Sequence, residues 1–101
     1  MVHQIIWVPR ALEDLREVVR YIRRDNPEAA LRWGAKLIQK AESLATFPER
    51  GRCIRKFVDP NIREVFVGSY RIAYRIRQQP TATVEIVRIW HGARSEESFE
   101  L

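Results

Sequence analysis

Cysteine occurs once in this chain, at position 53. One thiol cannot close an internal disulfide, so the fold must rest on noncovalent burial, and a reducing, cytoplasmic setting is expected. Long apolar runs are missing too: nothing approaches the roughly 20 residues of a membrane span. The opening Met1-Val2-His3-Gln4 lacks the basic start and apolar stretch of a secretion signal. With no repeat, low-complexity tract or linker, the 101 residues are expected to form one domain. His3, His91 and Cys53 have no zinc-ligand spacing, and no metal or cofactor is expected. Acid is scarce in one half. Residues 50–95 hold three Asp or Glu against ten Lys or Arg, whereas residues 1–49 hold seven against eight. The net charge of +5 therefore comes from the C-terminal half. Lysine is scarce as well: three against fifteen arginines, and arginine is the better fork for phosphate or carboxylate.

What is present is hydrophobic patterning. At 46% hydrophobic the chain has enough apolar surface to fold unaided. Tyr70-Arg71-Ile72-Ala73-Tyr74-Arg75-Ile76-Arg77 alternates with period two, so as a strand it puts Tyr70, Ile72, Tyr74 and Ile76 on one face. Arg71, Ala73, Arg75 and Arg77 then share the other face, which is expected to stay open and bind a polyanionic partner. Gln4–Val8 and Asn61–Val67 read as further strands, and Gly68-Ser69 suits a two-residue type II′ hairpin. In the last strand, Thr83–His91, the alternation groups Val84, Ile86 and Trp90 against Val87 and Ile89. A strand apolar on both sides belongs inside a sheet.

Two helices lie between. Pro9 suits a first helical turn, and Leu12, Leu15, Val18, Val19 and Ile22 make one apolar face. Glu13 and Asp14 are expected in its first turn, favouring the dipole. Asn26-Pro27 caps and starts a second helix with Ala30, Trp33, Leu37, Ala41 and Leu44 inward. The expected fold is α+β, in the order β-α-α-β-β-β, with a helical hairpin on one face of a mainly antiparallel sheet. Residues 49–60 read as a basic loop.

Three elements in this order resemble one family: Phe47-Pro48-Glu49-Arg50-Gly51-Arg52; Arg63-Glu64 followed by Tyr70–Arg75; and His91-Gly92-Ala93-Arg94. Together they are similar to the RelE/ParE superfamily, the toxin halves of bacterial toxin–antitoxin pairs. The resemblance implies neutralisation by a cognate, acidic antitoxin in a hetero-oligomer. It also implies one of two targets. ParE-like members poison DNA gyrase, and RelE-like members cut messenger RNA on the ribosome. The His-Gly-X-Arg ending, with no tyrosine after Tyr74, looks closer to the ParE-like side.

Each target has its candidate residues. Metal-free RNA cleavage needs a proton acceptor, a proton donor and cations on the phosphate. Glu64 or His91 would move the proton, with Arg63, Arg71 and Arg94 as clamp. A gyrase contact would instead use Arg52, Arg55 and Lys56 of the loop, Arg71, Arg75 and Arg77 of the strand, and the segment Arg94–Leu101. The blander readings are that Glu64 pairs with Arg71 or Arg75 across the hairpin, and that Tyr70, Tyr74, Trp33 and Trp90 are core aromatics. A plain nucleic-acid-binding module is a third possibility, marked by steep salt dependence.

Overall fold

A computed structural model of the chain describes residues 2–92. Strand β1 (Gln4–Trp7) leads into helix α1 (Pro9–Arg23) and helix α2 (Pro27–Ser43). A short 3₁₀ turn, Pro48–Arg50, precedes β2 (Arg52–Cys53), β3 (Ile62–Val67), β4 (Tyr70–Arg77) and β5 (Thr83–His91). The strands form one sheet ordered β1-β5-β4-β3-β2, in which only β1 and β5 run parallel. The expected α+β arrangement is therefore found, with β2 as a short fifth strand inside the basic loop.

Local chemistry explains the boundaries. Pro9 and Pro27 occupy the first turns of their helices, where a missing N–H costs nothing. Asn26 Oδ1 accepts the Ala29 N–H at 3.0 Å and caps α2. Gly68 adopts φ 57° at the first central position of the β3–β4 turn, as type II′ requires, and no other described residue has positive φ. Ala11 of α1, Leu37 and Ala41 of α2, and Leu44 just after it pack on Val65, Ile72, Tyr74, Ile76, Val84, Ile86 and Ile89 of the sheet.

Three expectations are corrected. Neither Glu13 nor Asp14 is in the first turn of α1; both fall in the second, and Asp14 is buried. Its row on the helix is that of Ala11, Leu15 and Val18, which faces the sheet. There Asp14 Oδ2 accepts Arg88 Nε at 2.8 Å and the Ile89 N–H at 2.9 Å. It thus occupies the edge of β5 beyond the reach of β1, whose pairing stops at Ile86.

Second, a register shift in β4–β5 pairs Ala73 with Arg88 and Tyr74 with Ile86, leaving Val87 as an extra residue. A bulge of this kind breaks strict alternation. Ile89 consequently joins Val84 and Ile86 under the helices, while Trp90 joins Val87 on the opposite face.

Third, the arginine face is not open. Ile54, packed with Phe57, folds the loop back over Ala73, Ile62, Val87 and Trp90 and forms a second, smaller core there. Arg71, Arg75 and Arg77 lie on the face opposite the helices as expected, but all three are engaged by carboxylates.

Candidate functional site

The second core frames the site. Glu64 of β3 faces Ala73 of β4, away from the helices, and only 1% of it is exposed. Arg71 Nε lies 3.0 Å from Glu64 Oε1, and Arg71 Nη2 donates to Oε2 at 3.2 Å. Arg52 Nε reaches the same Oε2 at 2.8 Å from the neighbouring β2, which pairs Arg52 with Glu64. The Arg71 guanidinium sits between two rings, 5.1 Å from Phe66 and 5.4 Å from Trp90, and Arg52 covers Phe66 at 5.1 Å. These contacts form a rigid platform in which one carboxylate meets two guanidinium groups. It leaves a cavity of about 470 Å³ rimmed by Arg52, Cys53, Arg55, Glu64 and Arg71.

Farther along the same face, Glu85 of β5 holds Arg77 at 2.9 Å and Arg75 at 3.9 Å. Arg55 and Lys56 stay exposed on the covering loop, and Lys56 lies over the Phe57 ring at 5.8 Å.

Arg63 and His91 point the other way. Arg63 pairs with Tyr74, whose ring is in the main core, and its Nη1 donates to the Gly51 carbonyl at 3.0 Å and the Glu49 carbonyl at 3.4 Å. His91 pairs with Tyr70, and their rings meet edge-on at 5.4 Å. Tyr70 in turn meets Trp33 of α2 edge-on at 5.5 Å, which fixes this cluster on the helix side. The five ribonuclease candidates are thus not brought together: Glu64 and Arg71 lie on one face, Arg63 and His91 on the other. Arg94, and the segment Arg94–Leu101, lie outside the described residues.

Tyr74 holds the start of the basic loop. Its hydroxyl donates to the Pro48 carbonyl at 2.6 Å and accepts the Gly51 N–H at 2.9 Å. A Cβ on Gly51 would collide with this hydroxyl and with the Glu64 carbonyl, so the backbone can approach only as glycine. Burial raises the Tyr74 pKa above the ordinary 10.0, outweighing the lowering by the Gly51 hydrogen bond and by Arg63. Folding therefore favours the protonated phenol. Its contribution is complete below pH 10.0 and is lost as the pH climbs through the raised folded value. Tyr74→Phe is expected to lose about 1–3 kcal/mol at neutral pH. Urea unfolding should show that loss, with the difference from the parent protein shrinking above pH 10.0.

Several of these features escaped the sequence. Asp14, Arg88 and the Phe66–Arg71–Trp90 stack carried no local motif. Ile54 and Phe57 did carry a signal, as apolar residues in an otherwise charged loop.

A helical hairpin on a five-stranded sheet, whose far face carries arginines held by Glu64 and Glu85 around a small apolar core, defines a small basic α+β protein. Comparison with known proteins places it more closely. The model for the ParE toxin of the type II toxin–antitoxin system parDE matches residues 5–96. Toxin RelE2 of Caulobacter vibrioides is 41% identical over 92 residues, covering 90% of this chain and 97% of that protein. Toxin RelE1 of the same organism is 32% identical over 93 residues, covering 91% and 96%. Among solved structures, a chain of the chromosomal ParDE system from P. aeruginosa superposes with a TM-score of 0.72 at 18% identity, covering 89% of this chain and 96% of that one. A chain of the toxin–antitoxin complex RelBE2 from Mycobacterium tuberculosis gives 0.67 at 26% identity, covering 90% and 99%. The chain belongs to the ParE toxin family, within the ParE/RelE superfamily of type II toxin–antitoxin toxins. No described helix is long and apolar enough to cross a membrane.

Proposed function

We propose that this toxin acts in the cytoplasm by binding DNA gyrase, without catalysing a reaction of its own, and that a cognate antitoxin neutralises it. The observation that carries this reading is the division of the candidate catalytic set between two faces of one sheet. Proton transfer and phosphate clamping must converge on a single phosphate, within hydrogen-bond reach of its oxygens. Glu64 and Arg71 cannot share such a phosphate with Arg63 and His91 through the sheet. Glu64, moreover, already accepts two guanidinium groups. The same face suits a protein contact instead. Its arginines are held rigid by carboxylates and rings, and preorganised arginines make strong anchors at interface centres. Arg52, Arg55 and Lys56 would meet the target first, with Arg75 and Arg77 at the rim.

A supercoiling assay tests this. Purified toxin should inhibit gyrase at micromolar concentration. Arg55→Glu with Lys56→Glu should weaken inhibition by about tenfold or more, because like charges now oppose at the interface. Both side chains are exposed, so circular dichroism should show an unchanged fold. Gyrase unaffected by the parent toxin would refute the proposal.

The names of the relatives favour a second reading, since both Caulobacter proteins are called RelE. Under it the chain is a ribosome-dependent endoribonuclease, and transcripts from induced cells would show codon-linked cuts. An antitoxin partner fits either reading, because both structural neighbours come from toxin–antitoxin systems. The excess of arginine leads us to expect an acidic, amphipathic partner.

A further inference from the structure

One cavity departs from the basic character of the molecule. It lies between α1 and the ends of β4 and β5, with a volume of about 770 Å³. One wall is the row Glu13, Glu17 and Tyr21, each four residues apart and so stacked along one side of α1. The opposite wall is Tyr70 and His91, joined edge-on. Tyr21 and Tyr70 both line the gap; burial raises the Tyr70 pKa, and the Tyr21 phenol adds to the rise.

The charges in this notch are incomplete. Asp14 lies between two arginines of the lining, 2.8 Å from Arg88 and 3.9 Å from Arg10, so three carboxylates face two guanidinium groups here. Glu13 meets Arg16 at 3.5 Å, but both side chains are about half exposed or more, and pairs of that kind contribute little. Two carboxylates at i and i+4 repel, so the spacing works against the isolated helix. A chain of net +5 has here placed two acids on one helical row and faced them with aromatic rings.

We propose that this notch receives an arginine side chain presented by a protein partner. A guanidinium can fork to carboxylates while its plane lies against a ring, and is weakly enough hydrated to leave water for such a site. A lysine ammonium satisfies the charge but not the stacking. A nucleic acid is disfavoured, because phosphate would face Glu13 and Glu17. The notch lies on the helix side of the sheet, away from Arg52, Arg55 and Lys56, so it is separate from the proposed target contact and does not depend on that reading. An otherwise acidic partner would thus carry one basic anchor at this position.

The test is a titration of the ¹⁵N-labelled full chain with acetyl-Gly-Arg-Gly-amide, followed by two-dimensional NMR. The expected result is saturable shifts confined to Glu13, Glu17, Tyr21, Tyr70 and His91. The lysine peptide should bind about fivefold more weakly, and the neutral citrulline peptide should produce no saturable shift. Glu13→Gln with Glu17→Gln should remove the response while leaving the rest of the spectrum in place. Three results would overturn the proposal. One is equal response to citrulline. Another is shifts spread over Asp25, Glu28 and Glu42 as strongly as over the notch. The third is notch shifts that follow protein concentration without peptide, which would assign the site to a second copy.

Discussion

Asp14→Ala should lower the melting temperature by more than about 10 °C, corresponding to roughly 3–5 kcal/mol in a domain of this size. Asp14 is 7% exposed and Arg88 is 8% exposed, so removing the acid takes a buried carboxylate from Arg88 Nε in a poorly hydrated site. It also takes the acceptor from the Ile89 amide, on the stretch of β5 that β1 does not cover. The substitution therefore combines a broken buried pair with an unsatisfied backbone donor, and both terms have the same sign. Asp14→Asn should be milder, since its carbonyl oxygen can still accept the Ile89 N–H. Replacing both partners, Asp14→Leu with Arg88→Met, should recover much of the loss, because apolar substitutes need no counter-charge. Thermal unfolding of the three variants separates these contributions. A melting point for Asp14→Ala within a few degrees of the parent would mean that α1 is not latched to the sheet in this way.

Glu64→Ala carries the second large effect, again about 3–5 kcal/mol. It leaves Arg71 between Phe66 and Trp90 with its charge uncompensated, and it frees Arg52 on the short β2. The damage should be local before it is global. Amide exchange should accelerate first at Arg52 and Cys53, where β2 is held by two residue pairs, and at Ile54. Glu64→Gln keeps an acceptor and should lie between parent and alanine variant. If Glu64→Ala left the exchange of these amides unchanged, the carboxylate would not be the tie between loop and sheet.

The elements of the fold were largely legible in the sequence because each rests on local chemistry. Pro9 and Pro27 start helices, Asn26 caps one, Gly68 turns a hairpin, and alternation marks β4. What was missed depends on contacts between distant residues. Alternation through Val87, Arg88, Ile89 and Trp90 looks regular, but the bulge shifts it by one, and only the partner strand reveals the extra residue. Asp14 read as a helix-dipole residue because its real partners lie more than seventy positions away. The site was legible in kind but not in state. Arg71, Arg75 and Arg77 do project from the far face, yet Glu64 and Glu85 each hold two arginines there and Ile54 covers the middle of the face. Charge counts over a segment cannot show which acid meets which base.

The division between faces is the ground on which we propose gyrase over the ribosome, and one culture can read out both targets. The toxin is induced alone and together with its antitoxin, and DNA breakage and transcript cleavage are scored in parallel. Gyrase-dependent DNA breaks with intact transcripts, suppressed by the antitoxin, are the predicted outcome. Codon-linked transcript cuts that disappear in His91→Ala, with chromosomal DNA unbroken, would contradict it.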